Sequence, residues 1–371
     1  MLPIFYFKLF FNIFLWKGIK PNMKKIKNSF KKYILPLIFL IFTLNLILFS
    51  NTNITAARNG LILWANNVVP TLFPFFIATE LLSYTNVCEK ISVYLSKIIR
   101  PLFNCPGCGA YAFILGLISG YPVGAKIVTS LYNNGMCTKD EANRMLAFTN
   151  NSGPLFIVGT VGITLFRNSV IGILLLITHI LASITVGIIL GLLSKFNHTE
   201  DSNSVEFSNF NSSIKYCTFS NLGEVIGNSI FSSIKTILMI GGFIVLFSCI
   251  ISILNSSHMI ILFETLFSPL FRLIHLDISF ISPFITGLLE LTNGLSLVCQ
   301  IPCKKLSINI IICAFLLGFG GLSVLLQVSS IISKSNLSIK PYLYSKFLQG
   351  IIASFYTYIL ISNFNFFNFD L

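Results

Sequence analysis

The feature that most constrains this chain is a series of apolar runs interrupted from within. They lie at residues 33–50, 60–83, 110–132, 145–166, 168–193, 225–254, 280–299, 306–332 and 341–362, separated by short polar connections. A span of bilayer hydrocarbon takes about 20 residues of helix, and water is absent there, so backbone groups must be satisfied within the segment. Runs of this length without strand-like alternation predict an all-α polytopic membrane protein with about seven to nine transmembrane helices. Composition agrees: 10% of residues are charged, where soluble domains carry about 25%, and mean hydropathy is +0.84. The net charge of +13 does not indicate a nucleic-acid reader. Eight lysines and no acid lie in residues 1–32, which leaves +5 on the remainder. A basic cluster ahead of an apolar run is an orientation signal.

Residues 1–16 are apolar but short for a span. Met23 opens a cleaner start, MKKIKNSFKKY, which identifies Met23 as the expected initiator and 1–22 as an upstream extension; an interfacial anchor is the alternative. Met23–Ser50 imitates a signal peptide, yet no small-x-small cleavage site closes it, so an uncleaved first helix is expected. Nine cysteines are scattered along the chain, and neither Cys105-Pro-Gly-Cys108 nor the Cys299/Cys303 pair has a histidine near enough to complete a metal site. No nucleophile elbow, P-loop or zinc motif is present. The expectation is a protein that is not an enzyme, takes no metal or cofactor, and is not driven by ATP.

The chain divides into a basic cytoplasmic N-terminus at 1–32, a first helix at 33–50, a first repeat with a linking helix at 51–193, a polar loop at 194–223, a second repeat at 224–333, and a C-terminal helix and tail at 334–371. Helix breaks recur in register. Pro101-Leu-Phe103 matches Pro269-Leu-Phe271, and Gly116-Leu117 matches Gly287-Leu288. Ala147-Phe148 with Gly153-Pro154-Leu155 matches Ala314-Phe315 with Gly320-Gly321-Leu322 at an offset of 167. Interrupted apolar segments at corresponding positions of two halves point to a transporter binding site. If 110–132 and 280–299 turn back as hairpins, the halves are inverted; if they cross, the halves are parallel. The hairpin arrangement puts more lysine and arginine on the inside, which favours inverted repeats.

Three constellations carry candidate chemistry. In Ser119-Gly-Tyr-Pro-Val-Gly-Ala-Lys126, glycines and a proline make a reversal whose amides can face a ligand. Ser119, Tyr121 and Lys126 are its candidate binding residues. Lys126 either meets an anion at membrane depth or snorkels to water. In Thr149-Asn-Asn-Ser-Gly-Pro154, the side chains of Asn150, Asn151 and Ser152 either line a polar cavity or form an ordinary capping loop. In Glu290-Leu-Thr-Asn-Gly294, Glu290 is a candidate proton or cation coupler, with Thr292 and Asn293 beside it, or else the structural partner of Lys126. His179 reads as a packed, hydrogen-bonded residue, and Ile260–Leu276 as an interfacial amphipathic helix.

These residues carry a resemblance. Trp64-Ala-Asn-Asn-Val-Val-Pro-Thr-Leu-Phe-Pro-Phe-Phe76, Gly116-Leu-Ile-Ser-Gly-Tyr-Pro-Val-Gly-Ala-Lys126, Glu141-Ala-Asn-Arg144 and Asn150-Asn-Ser-Gly-Pro154 resemble the sporulation integral membrane protein YlbJ family, part of the nucleoside-recognition Gate group. The resemblance implies a fold similar to the core of concentrative nucleoside transporters, with inverted repeats and two re-entrant hairpins. It also implies residence in the outer forespore membrane and import of dipicolinic acid during spore formation. Dipicolinate, an aromatic ring with two carboxylates, suits the types of Ser119, Tyr121, Lys126, Asn150, Asn151 and Ser152. A nucleoside or other small-anion transporter, or a non-transporting sporulation scaffold, are the alternatives. The expected partners are a small anionic substrate and the lipid bilayer, with no nucleic acid; the oligomeric state is not specified by the sequence.

The charge distribution makes a topological prediction. In a cysteine-free background, Lys139→Cys and Lys215→Cys should react with an impermeant thiol reagent from the cytoplasmic side, and Lys304→Cys from the other. Reaction at 139 from the outside alone would refute inverted repeats.

Overall fold

Residues 23–196, 217–273, 275–302 and 306–363 are described by the structure, a computed structural model. Residues 1–22, most of the expected polar loop at 194–223, Lys215, Cys303 and Lys304 lie outside them. Every element among the described residues is helical. After α1 (Met23–Leu48) come α2 (Ser50–Leu63), a π-helical turn at Trp64–Val68, and α3 (Val69–Ser83), together one continuous rod over Ser50–Ser83. Pro70 sits in the first turn of α3, where its missing N–H costs nothing.

The expected run at 110–132 is two helices, α5 (Cys108–Ser119) and α6 (Val123–Asn133), preceded by α4 (Val87–Phe103). The arms of this first hairpin fold back on one another: a Cβ on Gly116 would lie 3.1 Å from Gly124 Cα. The run at 145–166 is α7 (Lys139–Thr149), an irregular break at residues 150–153, and a π-helical segment at Phe156–Leu165. Thr138 and Glu141 cap the start of α7 reciprocally. Then α8 (Ser169–Phe196) runs without interruption.

The second half repeats this order. It has α9 (Leu222–Ser256), α10 (Met259–Leu273), a second hairpin of α11 (Ile281–Leu289) and α12 (Leu291–Gln300), then α13 (Leu306–Phe319) broken at Gly320 from α14 (Gly321–Ile332), and α15 (Ile339–Asn363). Both α4 and α10 carry proline and arginine in their last turns, at Arg100-Pro101 and Pro269/Arg272. Among the described residues, four rods are long and apolar enough to cross a membrane, or five if the pair Val93–Phe103 and Cys108–Ser119, bent by 97°, counts as one. The difference from seven to nine predicted spans has a physical reason: several apolar runs are pairs of short helices rather than single rods, so hydropathy counts them and helix length does not.

By packing, the described residues form two units. One takes the residues up to Gly60 with Val245–Ile281; within it, Asn53 donates to the Asn45 carbonyl at 3.2 Å and Gly60 abuts Ser248. The other takes Leu61–Ile244 and the described residues from Ser282 onward. Its core joins Phe103, Ala125, Val128, Phe148, Val324 and Tyr342, with Phe103 and Phe148 stacked at 4.6 Å. On α15 the split of faces is plain. Tyr344, Phe347, Ile351, Phe355 and Tyr358 are exposed apolar side chains suited to lipid, while Tyr342, Lys346, Gln349, Ala353 and Thr357 are buried.

The tightest joint is between the first hairpin and the break after α7. A Cβ on Gly116 would stand 1.9 Å from the Thr149 carbonyl oxygen, and one on Gly124 only 2.4 Å from it. No side chain yields there, because the obstacle is backbone. Gly116→Ala should therefore lower stability by about 3 kcal/mol, read as a drop in the thermal unfolding midpoint of the detergent-purified protein. Gly242→Ala, where nothing lies within 4 Å, should raise it slightly, by up to about 1 kcal/mol, since glycine is a poor helix former.

Candidate functional site

The chain leaves its helical path at Gly120, whose φ of +81° is open to glycine and strained for other residues. Ser119 ends α5 by donating its hydroxyl to the Leu115 carbonyl at 2.7 Å. The tip, Gly120-Tyr121-Pro122, then lies against Gly153, since a Cβ on Gly120 would meet Gly153 N at 2.7 Å. At the break itself, Asn150 bridges three elements. Its Oδ1 accepts the Ala125 N–H of α6 at 3.3 Å, and its Nδ2 donates to the Tyr342 hydroxyl of α15 at 2.8 Å.

Asn151 is the hub. Its Nδ2 donates to the Phe148 carbonyl at 2.6 Å, and its Oδ1 accepts from Lys346 Nζ at 3.1 Å and Gln349 Nε2 at 3.0 Å. The Ser152 N–H donates to His179 Nε2 at 3.2 Å, so His179 is packed and hydrogen-bonded.

The second hairpin turns at Glu290, which is 2% exposed and stands in extended backbone between α11 and α12. Its carboxylate caps the helix that follows: Oε1 accepts the Thr292 N–H at 3.1 Å and Oε2 the Asn293 N–H at 2.7 Å. A negative side chain at a helix N-terminus is favoured by the dipole. A Cβ on Gly294 would fall 2.0 Å from Gly287 Cα, so only glycine lets these arms meet.

Two adjoining cavities lie against these tips. The larger encloses about 440 Å³ of space between atoms and is lined by Gly120 and Tyr121 of the first tip, Gly153 of the break, and Glu290, Leu291 and Thr292 of the second tip, with Ser323 and Gln327 of α14. Its width is small: the centre of a water-sized sphere can range over only about 20 Å³. The smaller, about 160 Å³ of space between atoms and too tight for a water molecule, is lined by Tyr121, Asn150, Asn151, Ser152, Phe319, Tyr342 and Lys346 among others, and shares Tyr121 and Val324 with the first. The Tyr121 and Ser152 hydroxyls face one another, and Gln327 Oε1 has no partner among the described residues.

Of the residues singled out from sequence, Tyr121, Asn150, Asn151, Ser152, Glu290 and Thr292 line these cavities. Ser119 is buried just before the tip, and Asn293 is half-buried beside the Glu290 cap. Lys126 lines neither cavity; its ammonium donates to Thr236 Oγ1 on α9, and Glu290 is engaged by its own helix. Lys346, Gln349, Ser323 and Gln327 are additions that sequence reading passed over. Their signal was helical spacing: Tyr342, Lys346 and Gln349 share one face of α15, and Ser323 and Gln327 one face of α14.

The bridging role of Asn150 is testable. Replacing it with leucine strips the Ala125 N–H and the Tyr342 hydroxyl of their partner at once, and each buried orphan costs about 1–3 kcal/mol. Asn150→Leu should lower the melting midpoint by several degrees, whereas an unchanged midpoint would show that the bridge carries no stability.

Residues 65–196, which run from the rod before α3 through α8, match the Gate family, described as nucleoside recognition. The chain is 33% identical over 334 residues to the sporulation integral membrane protein YlbJ of Bacillus subtilis (strain 168), across 87% of this chain and 81% of that protein. Among solved structures, CNTnw in an inward-facing substrate-bound state aligns with a TM-score of 0.51 at 14% identity, covering 90% of this chain and 87% of that one. A CNTnw variant in an intermediate 1 state aligns at 0.53 and 12% identity, covering 91% and 87%. At such identities the likeness is one of fold, and the fold is that of CNTnw. Apolar rods, hairpin tips and relatives together make this an integral membrane protein, and the chain belongs to the YlbJ family of sporulation integral membrane proteins.

Proposed function

We propose that the protein is a secondary transporter that moves a small organic anion, dipicolinate first among candidates, across the outer forespore membrane during spore formation. The observation that carries this reading is convergence. Both hairpin tips, the break after α7 and the start of α14 line one cavity inside the helical unit. A scaffold that recruits partners needs an outer surface; it has no use for helix breaks that turn amides and hydroxyls inward, each freed backbone group being costly in a bilayer. The narrowness of the cavity fits a contracted state that opens for its ligand, as alternating access requires. Glu290, at the second tip, then holds the proton or cation that accompanies the anion, because a bare carboxylate facing a dicarboxylate would repel it.

The substrate assignment draws on the YlbJ relationship and on the chemistry around Asn150–Ser152: amide and hydroxyl donors, aromatic walls and a cation. A nucleoside is the second reading, favoured by the neutral amide of Gln327 beside Ser323 and Thr292 in the larger cavity.

Cells lacking the protein but retaining dipicolinate synthesis should form spores with little dipicolinate. Restoration of the gene product should restore it, and normal spore content in its absence would sink the reading. In proteoliposomes, competition of labelled dipicolinate uptake by unlabelled nucleosides separates the two substrates.

A further inference from the structure

We propose that Lys346, on α15, is the cation that receives a carboxylate of the transported anion. This deepens the transport reading and rests on it. Lys346 is 3% exposed, in a helix whose opposite face is apolar and suited to lipid. Its ammonium donates to Asn151 Oδ1 at 3.1 Å and to Gln349 Oε1 at 2.7 Å, and lies 5.7 Å from the centre of the Tyr342 ring. Both acceptors are neutral amides. Among the described residues no carboxylate forms an ion pair with it.

An uncompensated ammonium at membrane depth is costly, and such residues face a bundle interior or a wet path. A lysine kept only for structure would be cheaper as a methionine of similar length, or paired with an acid. Here the amine is kept and held in place by two amide oxygens, with no carboxylate beside it among the described residues.

What surrounds it fits an anion. An ammonium has three donors; two are engaged, and one remains for a ligand oxygen. The neighbouring Tyr121 and Ser152 hydroxyls line the same cavity and can turn toward a ligand oxygen. Tyr121 and Tyr342 supply aromatic walls. Tyr121 and Val324 line both cavities, so the larger one adjoins the space around Lys346. Lys126 offers no such setting, since it lines neither cavity.

The test uses purified full-length protein, with binding read as a ligand-induced shift of the melting midpoint and transport as uptake into proteoliposomes. The probes are dipicolinate and picolinate, which differ by one carboxylate. Wild type should bind dipicolinate more tightly. Lys346→Met should lose roughly thirtyfold or more in affinity, as for truncating one side of a buried charge pair, and its preference for the dicarboxylate should collapse. Lys346→Arg keeps the charge, and should accumulate normally and keep that preference at reduced affinity; it decides the matter if the methionine variant does not fold. Lys340→Met, which removes an exposed charge from the first turn of the same helix, should bind as wild type does.

Uptake and binding by Lys346→Met equal to wild type would overturn the assignment while leaving transport standing. The same holds if Lys126→Met alone abolishes binding. Binding by wild type that depends on Lys346, without any uptake, would remove the transport reading and keep the site. No binding of either probe by wild type would remove both.

Discussion

A helix that stops inside a bilayer presents carbonyls and amides that no water can reach. In this chain the stop after Thr149 is the joint on which the rest depends. Asn150 and Asn151 take over what the interrupted helix can no longer do: one satisfies an amide of the first hairpin and the Tyr342 hydroxyl, the other a carbonyl of α7 and two side chains of α15. The consecutive helices α6 and α7 and the distant α15 are thereby tied to one irregular turn. Glycine makes the joint possible, since the Thr149 carbonyl presses against Gly116 and Gly124 with no room for a Cβ on either. The break is therefore a built feature, held by specific side chains, and polar groups are brought to the interior as its consequence.

The second half repeats the order of elements with different chemistry. Its hairpin also closes glycine on glycine, at Gly287 and Gly294, and its broken helix also touches the hairpin, with a Cβ on Gly321 lying 3.0 Å from the Gly287 carbonyl oxygen. Where the first tip uses backbone and a tyrosine, the second uses a carboxylate that caps its own helix. The two halves share the geometry of interruption and differ in the residues at the interruptions. That divergence gives one end of the site a positive group and the other a negative one.

Much of this was legible in the residues alone. Glycine, proline and asparagine inside apolar runs interrupt a helix that lipid would otherwise keep whole. The breaks at Gly120, Asn150, Glu290 and Gly320 could therefore be placed closely, and their spacing disclosed the repeat. Which lysine lines the cavity was not legible. Lys126 stands out in sequence because it ends a glycine-rich string, yet each residue of a helix turns about 100°. Gly124 and Ala125 face the α7 break, and the next residue points away, toward Thr236 on α9. Lys346 lies in the run at 341–362, which reads in the sequence as one more apolar span. Only the pairing of α15 with the break shows that Tyr342, Lys346 and Gln349 form its inward stripe.

The two buried charges bear on one another. Glu290 and Lys346 are 2% and 3% exposed, and adjoining cavities that share Tyr121 place both near the same space. Were stability the only demand, the cheapest arrangements would be a direct pair or two apolar side chains. Instead the carboxylate is held by the amides of its own helix, and the ammonium by neutral side-chain oxygens. Each charge is thus oriented without being neutralised. The aromatic ring between the cavities belongs to Tyr121, a tip residue carried by a glycine turn rather than by a helix. An arrangement that gives up stability to keep opposite charges apart regains it when something enters between them: an anion on the ammonium, a proton or cation on the carboxylate. Under the proposed transport reading, occupancy of one position would favour occupancy of the other through their mutual attraction, the coupling that a secondary transporter requires.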